Sequence, residues 1–270
     1  MTFDVREASA ELGAPIMLAQ FVLGTKVWHF VAADQDVEFE DTTYESRPGG
    51  MKLSRIQDSS EFTKNNLTMT VDRLHPIAEL WRVSPPTSTV AVLLKEIHQE
   101  EVDDSVAWLG HVSNVGWNSD STADITLTPG TSAMQSNGLR RLWQRGCPHV
   151  LYGPGCKLDM ESHGTDVTVT AVNGLDVTGA EFATAGNLAG GFLKWTSDDG
   201  IPEYRSIMSA LGTKVRMMTA APTLAVGTVV RAYEGCDHTI GRCAELNNTD
   251  NYGGIPQFQG KNPFNGAMIY

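Results

Sequence analysis

Four cysteines are the residues of this sequence whose type and spacing point to a definite chemistry. Cys147 and Cys156 bound the stretch "CPHVLYGPGC", and Cys236 and Cys243 lie in "EGCDHTIGRC". The pairs read C-x8-C and C-x6-C. Each is bracketed by Gly or Pro, so the chain can bend sharply enough to aim both sulfurs of a pair at one point. Two pairs make four ligands, and four thiolates suit either a tetrahedral Zn²⁺ or an iron–sulfur cluster, because soft sulfur matches both. Structural zinc usually takes closer pairs that wrap a single ion, whereas wider spacings are easier to reconcile with a bulkier cluster whose irons are separated in space. Two readings stand beside the metal: four ordinary buried thiols, or disulfides. His149 and His238 lie near the cysteines, either as replacement ligands or as local hydrogen-bonding residues.

The rest of the composition narrows the choice. The 270 residues carry 32 acidic against 20 basic side chains, a formal net charge of −12. No run of Lys or Arg is interleaved with aromatics, so the footprint of a phosphate-binding surface is missing and sequence-specific DNA or RNA binding is not expected. The stretch "MTFDVREASAEL" lacks the basic start and apolar stretch of a secretory signal. No later segment approaches ~18 uninterrupted apolar residues, so no membrane anchor is expected and folding is expected in the cytoplasm. Cytosolic thiols are mostly kept reduced, and four cysteines are too few for a disulfide scaffold. Paired cytosolic cysteines more often mark a metal. G-x-S-x-G, H-E-x-x-H, the P-loop and a strand-linked G-x-G-x-x-G are all absent. An enzyme therefore has no residue-level support.

The elements that must position the cysteines read as strands. With 26 glycines, 19% charged residues and many Thr and Val, the chain has the texture of a mainly β protein rich in turns. "APIMLAQFVLG", "KVWHFVAA", "TVAVLLKEIHQ" and "SVAWLGHVSNVGW" are strand-like runs, with "EEVDD" as a solvated tip between the last two. "NNLTMTVDRL" sets Leu67, Met69 and Val71 against Thr68 and Thr70, the period of a strand with one buried face. "HPIAELWRV" predicts a short helix with Ile77, Leu80 and Trp81 on one side, stopped by "SPP". The texture changes near residue 140, which gives two domains, 1–140 and 141–270. In the second, "TDVTVTAVNGLDV" alternates, "GFLKWTSDDGIPEYRSIM" predicts a hairpin turning at "DDG", and "TLAVGTVVRAYEGC" predicts a last strand that delivers Cys236. The final stretch from "NNTDNYGG" onward is loop-forming.

The same second half resembles a known family. "EGCDHTIGRCAELNNTDNYGGIPQFQGKNPF" follows the pattern in which G-C-D and a second cysteine run into Asn-x-x-Asn-Tyr-Gly-Gly-Ile-Pro and end at Asn-Pro-Phe, and "CPHVLYGPGCKL" supplies the upstream pair. Over roughly residues 139–264 this resembles the C-terminal domain of phage tail-tip, or baseplate-hub, proteins. That family includes the tail-hub protein of gene transfer agents and is similar in layout to the lambda minor tail protein L. The resemblance implies tail-tube-like β-barrel hub domains in residues 1–140. It also implies a loop-rich C-terminal domain closed by an iron–sulfur cluster, of the 4Fe-4S kind, on Cys147, Cys156, Cys236 and Cys243, with zinc as the alternative. It implies a structural, non-enzymatic virion protein of a siphophage tail tip, assembled in the host cytoplasm and trimeric about the tail axis. That protein would join the distal tail protein to the central fibre protein and line a conduit through which DNA only passes. An acidic lumen disfavours adhesion of DNA, in keeping with the net charge. The competing class is a tail-associated enzyme holding zinc or an iron–sulfur cluster, a cell-wall hydrolase or an oxidoreductase. A cysteine hydrolase, however, needs one thiol set apart with a distant His, whereas all four here are paired.

Overall fold

The computed structural model describes residues 15–56, 65–98, 104–118, 120–135 and 143–258. It is mainly β and divides into two compact units, residues 1–136 with 198–201, and residues 137–197 with 202–270. The position expected for the boundary, the "MTFDVREASAEL" start, most of the "EEVDD" tip and the closing "NPF" lie outside the described residues.

The first unit is one nine-stranded sheet. Its strands are β1 (Ile16–Leu23), β2 (Lys26–Val31), β3 (Val37–Phe39), β4 (Thr42–Ser46), β5 (Lys52–Leu53), β6 (Leu67–Asp72), β7 (Ala91–Ile97), β8 (Asp104–Trp117) and β9 (Thr122–Pro129). They are ordered β3-β4-β2-β1-β7-β8-β9-β6-β5. The alternation read from the sequence sets the faces. On β6, Leu67, Met69 and Val71 are buried, with Phe21, Phe30, Leu94 and Ile125 in the same core. Leu18 points to the opposite face of β1 and joins Val31, Phe39, Tyr44 and Ile97 in a second cluster. The helix α1 (Pro76–Glu79) begins with a proline, whose missing N–H costs nothing there, and buries Ile77. Its cap is His75, whose Nδ1 accepts a hydrogen bond from the Ile77 N–H at 3.3 Å.

A closed barrel was expected in this half. Among the described residues no pairing joins β3 to β5, and the strands form a half-barrel. The two end strands are only three and two residues long. Such short edges offer little ladder with which to close a sheet.

Closure occurs instead in the second unit. Its strands are β10 (Gly164–Thr168), β11 (Ala171–Asn173), β12 (Asp176–Thr178), β13 (Phe192–Thr196), β14 (Pro202–Leu211), β15 (Lys214–Met217) and β16 (Val229–Tyr233), ordered β10-β16-β13-β14-β15-β12-β11. The two ends of that order, β10 and β11, are joined by Val169 and Thr170 alone. A link that short spans at most about 11 Å, so the ends of the sheet must meet. Val169 N–H donates to Thr228 O at 3.0 Å on one side, and Thr170 N–H donates to Thr178 O at 2.8 Å on the other. The long strand β14 takes part in both halves of this ring, and a bulge between Ile207 and Ser209 bends it from one to the other. The interior holds Val167, Val177, Leu193, Trp195, Ile207, Val215, Met217 and Val230, and no cysteine. No helix among the described residues is long and apolar enough to cross a membrane.

Candidate functional site

The strand pairing explains how cysteines 80 residues apart can meet. β10 and β16 run antiparallel with Gly164 opposite Tyr233. The segment entering β10 therefore ends where the segment leaving β16 begins. The first segment carries Cys147 and Cys156, and the second carries Cys236 and Cys243. Backbone and side-chain hydrogen bonds then knit the two. Cys147 N–H donates to His238 O at 2.8 Å, and Ile255 N–H donates to Gln144 O at 2.9 Å. The Tyr152 hydroxyl donates to Glu234 O at 2.8 Å. The Tyr252 hydroxyl donates to Arg145 O at 2.6 Å, and the Asn248 side-chain amide donates to Cys156 O at 2.7 Å.

The four cysteines line one small cavity of about 20 Å³, together with His149, Leu151, His238, Thr239, Leu246, Asn248 and Asn251. All four are free thiols, with Cys243 buried and the others half-buried. Cys243 sits on the short helix α2 (Ile240–Glu245), whose cap is Thr239; the Thr239 hydroxyl accepts from the Arg242 N–H at 3.2 Å. His149 and His238 both face the cavity. The His149 ring lies between Gly155 and Gly253, where an added Cβ would overlap Nδ1 and Nε2 respectively. Those two glycines are required by close approach.

Backbone strain gathers here. Six described non-glycine residues have positive φ, and four of them, Tyr152 (59°), Lys157 (57°), His238 (62°) and Asn247 (51°), belong to the two cysteine segments. A non-glycine residue in that region is unfavourable by about 1–2 kcal/mol, so the surrounding contacts must hold it there.

The sulfurs are arranged as acceptors. His238 N–H approaches Cys236 Sγ at 3.3 Å. Gly253 N–H approaches Cys147 Sγ at 3.5 Å, and the Asn248 amide approaches Cys156 Sγ at 3.5 Å. Cys243 differs, because its thiol donates to Asn248 O at 3.1 Å. Burial pushes the Cys243 thiol up, and the neighbouring Cys147, Cys236 and Cys156 add to the shift through charge repulsion. Burial likewise raises Cys236, opposed by the hydrogen bond from His238.

Among the described residues, no three His, Cys, Asp or Glu side chains are grouped as a single-ion site. A zinc ion holds each sulfur at about 2.3 Å, which needs the four sulfurs nearly in contact. A polynuclear cluster takes its thiolates at separate irons, so its ligands stand further apart. Four thiols around one cavity, with N–H groups aimed at three of the four sulfurs, are a donor set of the chemical type that thiolate-bound metal centres use, zinc or iron–sulfur alike. Asn248, Tyr252 and Gly253 entered the sequence reading only as members of the Asn-x-x-Asn-Tyr-Gly-Gly-Ile-Pro run, with no role attached, and the glycine clamp on His149 was not foreseen.

Residues 186–262 match the family model described as "Phage conserved hypothetical protein BR0599". The match runs from before β13 to the end of the second cysteine segment and takes in Cys236 and Cys243. An uncharacterized protein of Xylella fastidiosa (strain 9a5c) is 34% identical over 105 residues, which is 38% of this chain and 22% of that protein. The chain thus spans about a fifth of that relative. Among solved structures, a chain of the "Virion of native gene transfer agent (GTA) particle" superposes with a TM-score of 0.77 at 17% identity, over 99% of this chain and 95% of that one. At that identity the likeness is one of fold.

Proposed function

We propose that this chain is a structural protein of a phage-type virion, acting as a tail-tip hub between the distal tail protein and the central fibre protein. The observation that carries this reading is fold likeness to a gene transfer agent virion chain over nearly the whole of both chains. The match of residues 186–262 to a phage family agrees with it, as does the motif run through "NNTDNYGG". In this role the protein is a trimer about the tail axis, makes no specific contact with DNA, and is assembled in the host cytoplasm.

Cys147, Cys156, Cys236 and Cys243 hold an iron–sulfur cluster, which supplies four strong bonds between the entry and exit segments of the second unit. Its role is to brace rather than to catalyse. The chain's own residues do the rest: β10 and β16 bring the segments together, and the N–H groups of His238, Gly253 and Asn248 stabilise charge on sulfur. The acidic balance of the sequence keeps the conduit from adhering to DNA.

Two experiments test this reading. Deleting the gene is expected to leave particles without a normal tail tip and without infectivity; normal, adsorbing particles would remove the hub assignment. Protein purified without oxygen is expected to be brown and to contain iron and acid-labile sulfide, and each Cys→Ser change is expected to abolish most of both. Colourless protein carrying stoichiometric zinc would replace the cluster with the zinc alternative.

A further inference from the structure

We propose that Asn248 is the positioning residue that locks the two cysteine pairs into a single site; the inference rests on reading the four cysteines as one ligand set. Asn248 contacts a member of each pair. Its side-chain amide donates to Cys156 O at 2.7 Å and approaches Cys156 Sγ at 3.5 Å. Its backbone carbonyl accepts from the Cys243 thiol at 3.1 Å. His238 also bridges the pairs, accepting from the Cys147 N–H at 2.8 Å and donating its own N–H to Cys236 Sγ at 3.3 Å, but both contacts are made by its backbone, whereas Asn248 reaches Cys156 with its side chain.

Several features hold Asn248 in that position. It is 8% exposed, one of the few buried polar residues of the chain. Its N–H donates to Cys243 O at 2.9 Å, which ties it to the end of α2. The preceding Asn247 has a φ of 51°, the left-handed turn that ends a helix and redirects the chain toward the first segment. The Asn251 side-chain amide donates to Asn248 Oδ1 at 2.7 Å, which fixes the oxygen end and leaves the amino end for Cys156. A buried amide held at both ends has one orientation available to it. Asn248 is therefore no ligand; it sets the distance between Cys156 and Cys243.

The two bonds are separable, one being made by the side chain and the other by the backbone. Asn248→Asp keeps the shape and the Oδ1 acceptor but removes the donor to Cys156, while Asn248→Ala removes the side chain altogether. In reduced, metal-free protein, the alkylation rates of the four thiols by iodoacetamide are followed site by site by mass spectrometry. Asn248→Asp is expected to slow alkylation of Cys156 by about five- to tenfold, because the reactive thiolate loses a donor and gains a neighbouring carboxylate. Cys243 should stay within twofold of wild type, since its acceptor is backbone. In Asn248→Ala, which removes the donor without adding a charge, Cys156 is expected to slow by a smaller factor and Cys243 again to stay within twofold.

After anaerobic reconstitution with iron and sulfide, both variants are expected to lose iron to a chelator faster than wild type. Wild-type protein that takes up no iron would defeat the cofactor reading, while the thiol rates would still decide the role of Asn248. Unchanged rates at Cys156 in both variants would overturn the proposal. So would an equal rise at all four thiols in Asn248→Asp, which is the signature of general loosening.

Discussion

In the second unit, the closed sheet and the two cysteine segments are held by different means. Val167, Leu193, Val215 and Val230 are wholly buried in the sheet interior. Along residues 143–163 no position is buried, and along 234–258 only Gly235, Cys243, Leu246 and Asn248 are. The sheet is stable because apolar surface leaves water, a force that needs no exact partner. The segments have little such surface to bury. They depend on named hydrogen bonds, on backbones pressed against the His149 ring, and on four left-handed non-glycine residues. A region organised in this way has a defined shape only while every contact is kept. Four thiolates bound to one metal group would supply the missing cohesion, since metal ligation couples directly to folding.

The largest effect should come from the sheet. Leu193 is completely buried among Trp195, Ile207 and Val230. Leu193→Ala is expected to destabilise the unit by about 2–5 kcal/mol, from lost transfer energy plus the cavity left behind. Denaturant unfolding should show the loss, and the cysteine segments should unfold with the sheet. Segments that keep their protease resistance after the sheet has melted would break the comparison.

Acid probes the first unit by a different route. His75 is 3% exposed and caps α1 through a neutral Nδ1. Burial, with a smaller contribution from Arg47, holds its pKa down to about 4, against an ordinary value of 6.5. The unfolded chain therefore binds this proton more readily than the folded one. The neutral histidine contributes fully to stability above about pH 6.5, and that contribution is lost as pH falls toward 4. A shift of this size corresponds to about 3 kcal/mol. His75→Asn keeps a capping side chain and removes the titration, so its stability should vary less with pH over that window. A variant with the wild-type pH slope would exclude His75 as the source.

How much of this was legible in the sequence follows the same division. The β6 alternation, the β13–β14 hairpin and the approach of β16 to Cys236 could be read because each is a local pattern of buried and exposed positions. Strands β3, β4, β5 and β15 could not, being short and polar or lacking alternation long enough to register; β4 is moreover recruited by a parallel pairing with β2. Closure of the second sheet was missed because it depends on where Val169 and Thr170 find partners. At the site, the cysteines declared themselves by type and spacing. Asn248 stood in the Asn-x-x-Asn-Tyr-Gly-Gly-Ile-Pro run, but its role did not show, because an asparagine in a loop is an ordinary turn residue and its partner Cys156 lies 92 positions away.

A smaller perturbation separates the segments from the sheet directly. Gly253→Ala places a methyl against the His149 ring. Overpacking of this kind is expected to cost about 1–3 kcal/mol, confined to the segments. Limited proteolysis should cut near "GPGC" or "NNTDNYGG" while the unfolding midpoint of the sheet stays put. A matching fall in that midpoint would mean that sheet and segments form one cooperative unit.

The smallest effect is expected at α2. Thr239 caps this six-residue helix, and a helix so short has little stability of its own, so it relies on its cap and its packing. Thr239→Ala removes the acceptor for the Arg242 N–H and should cost about 1 kcal/mol, whereas Thr239→Ser should restore most of it. Because α2 carries Cys243, fraying at its start ought to appear as faster amide exchange at Arg242 and Cys243, with exchange in β13 and β16 unchanged. Should Thr239→Ser behave like Thr239→Ala, the methyl rather than the hydroxyl is what matters. In that case packing, and not capping, governs this end of the site as it does the sheet.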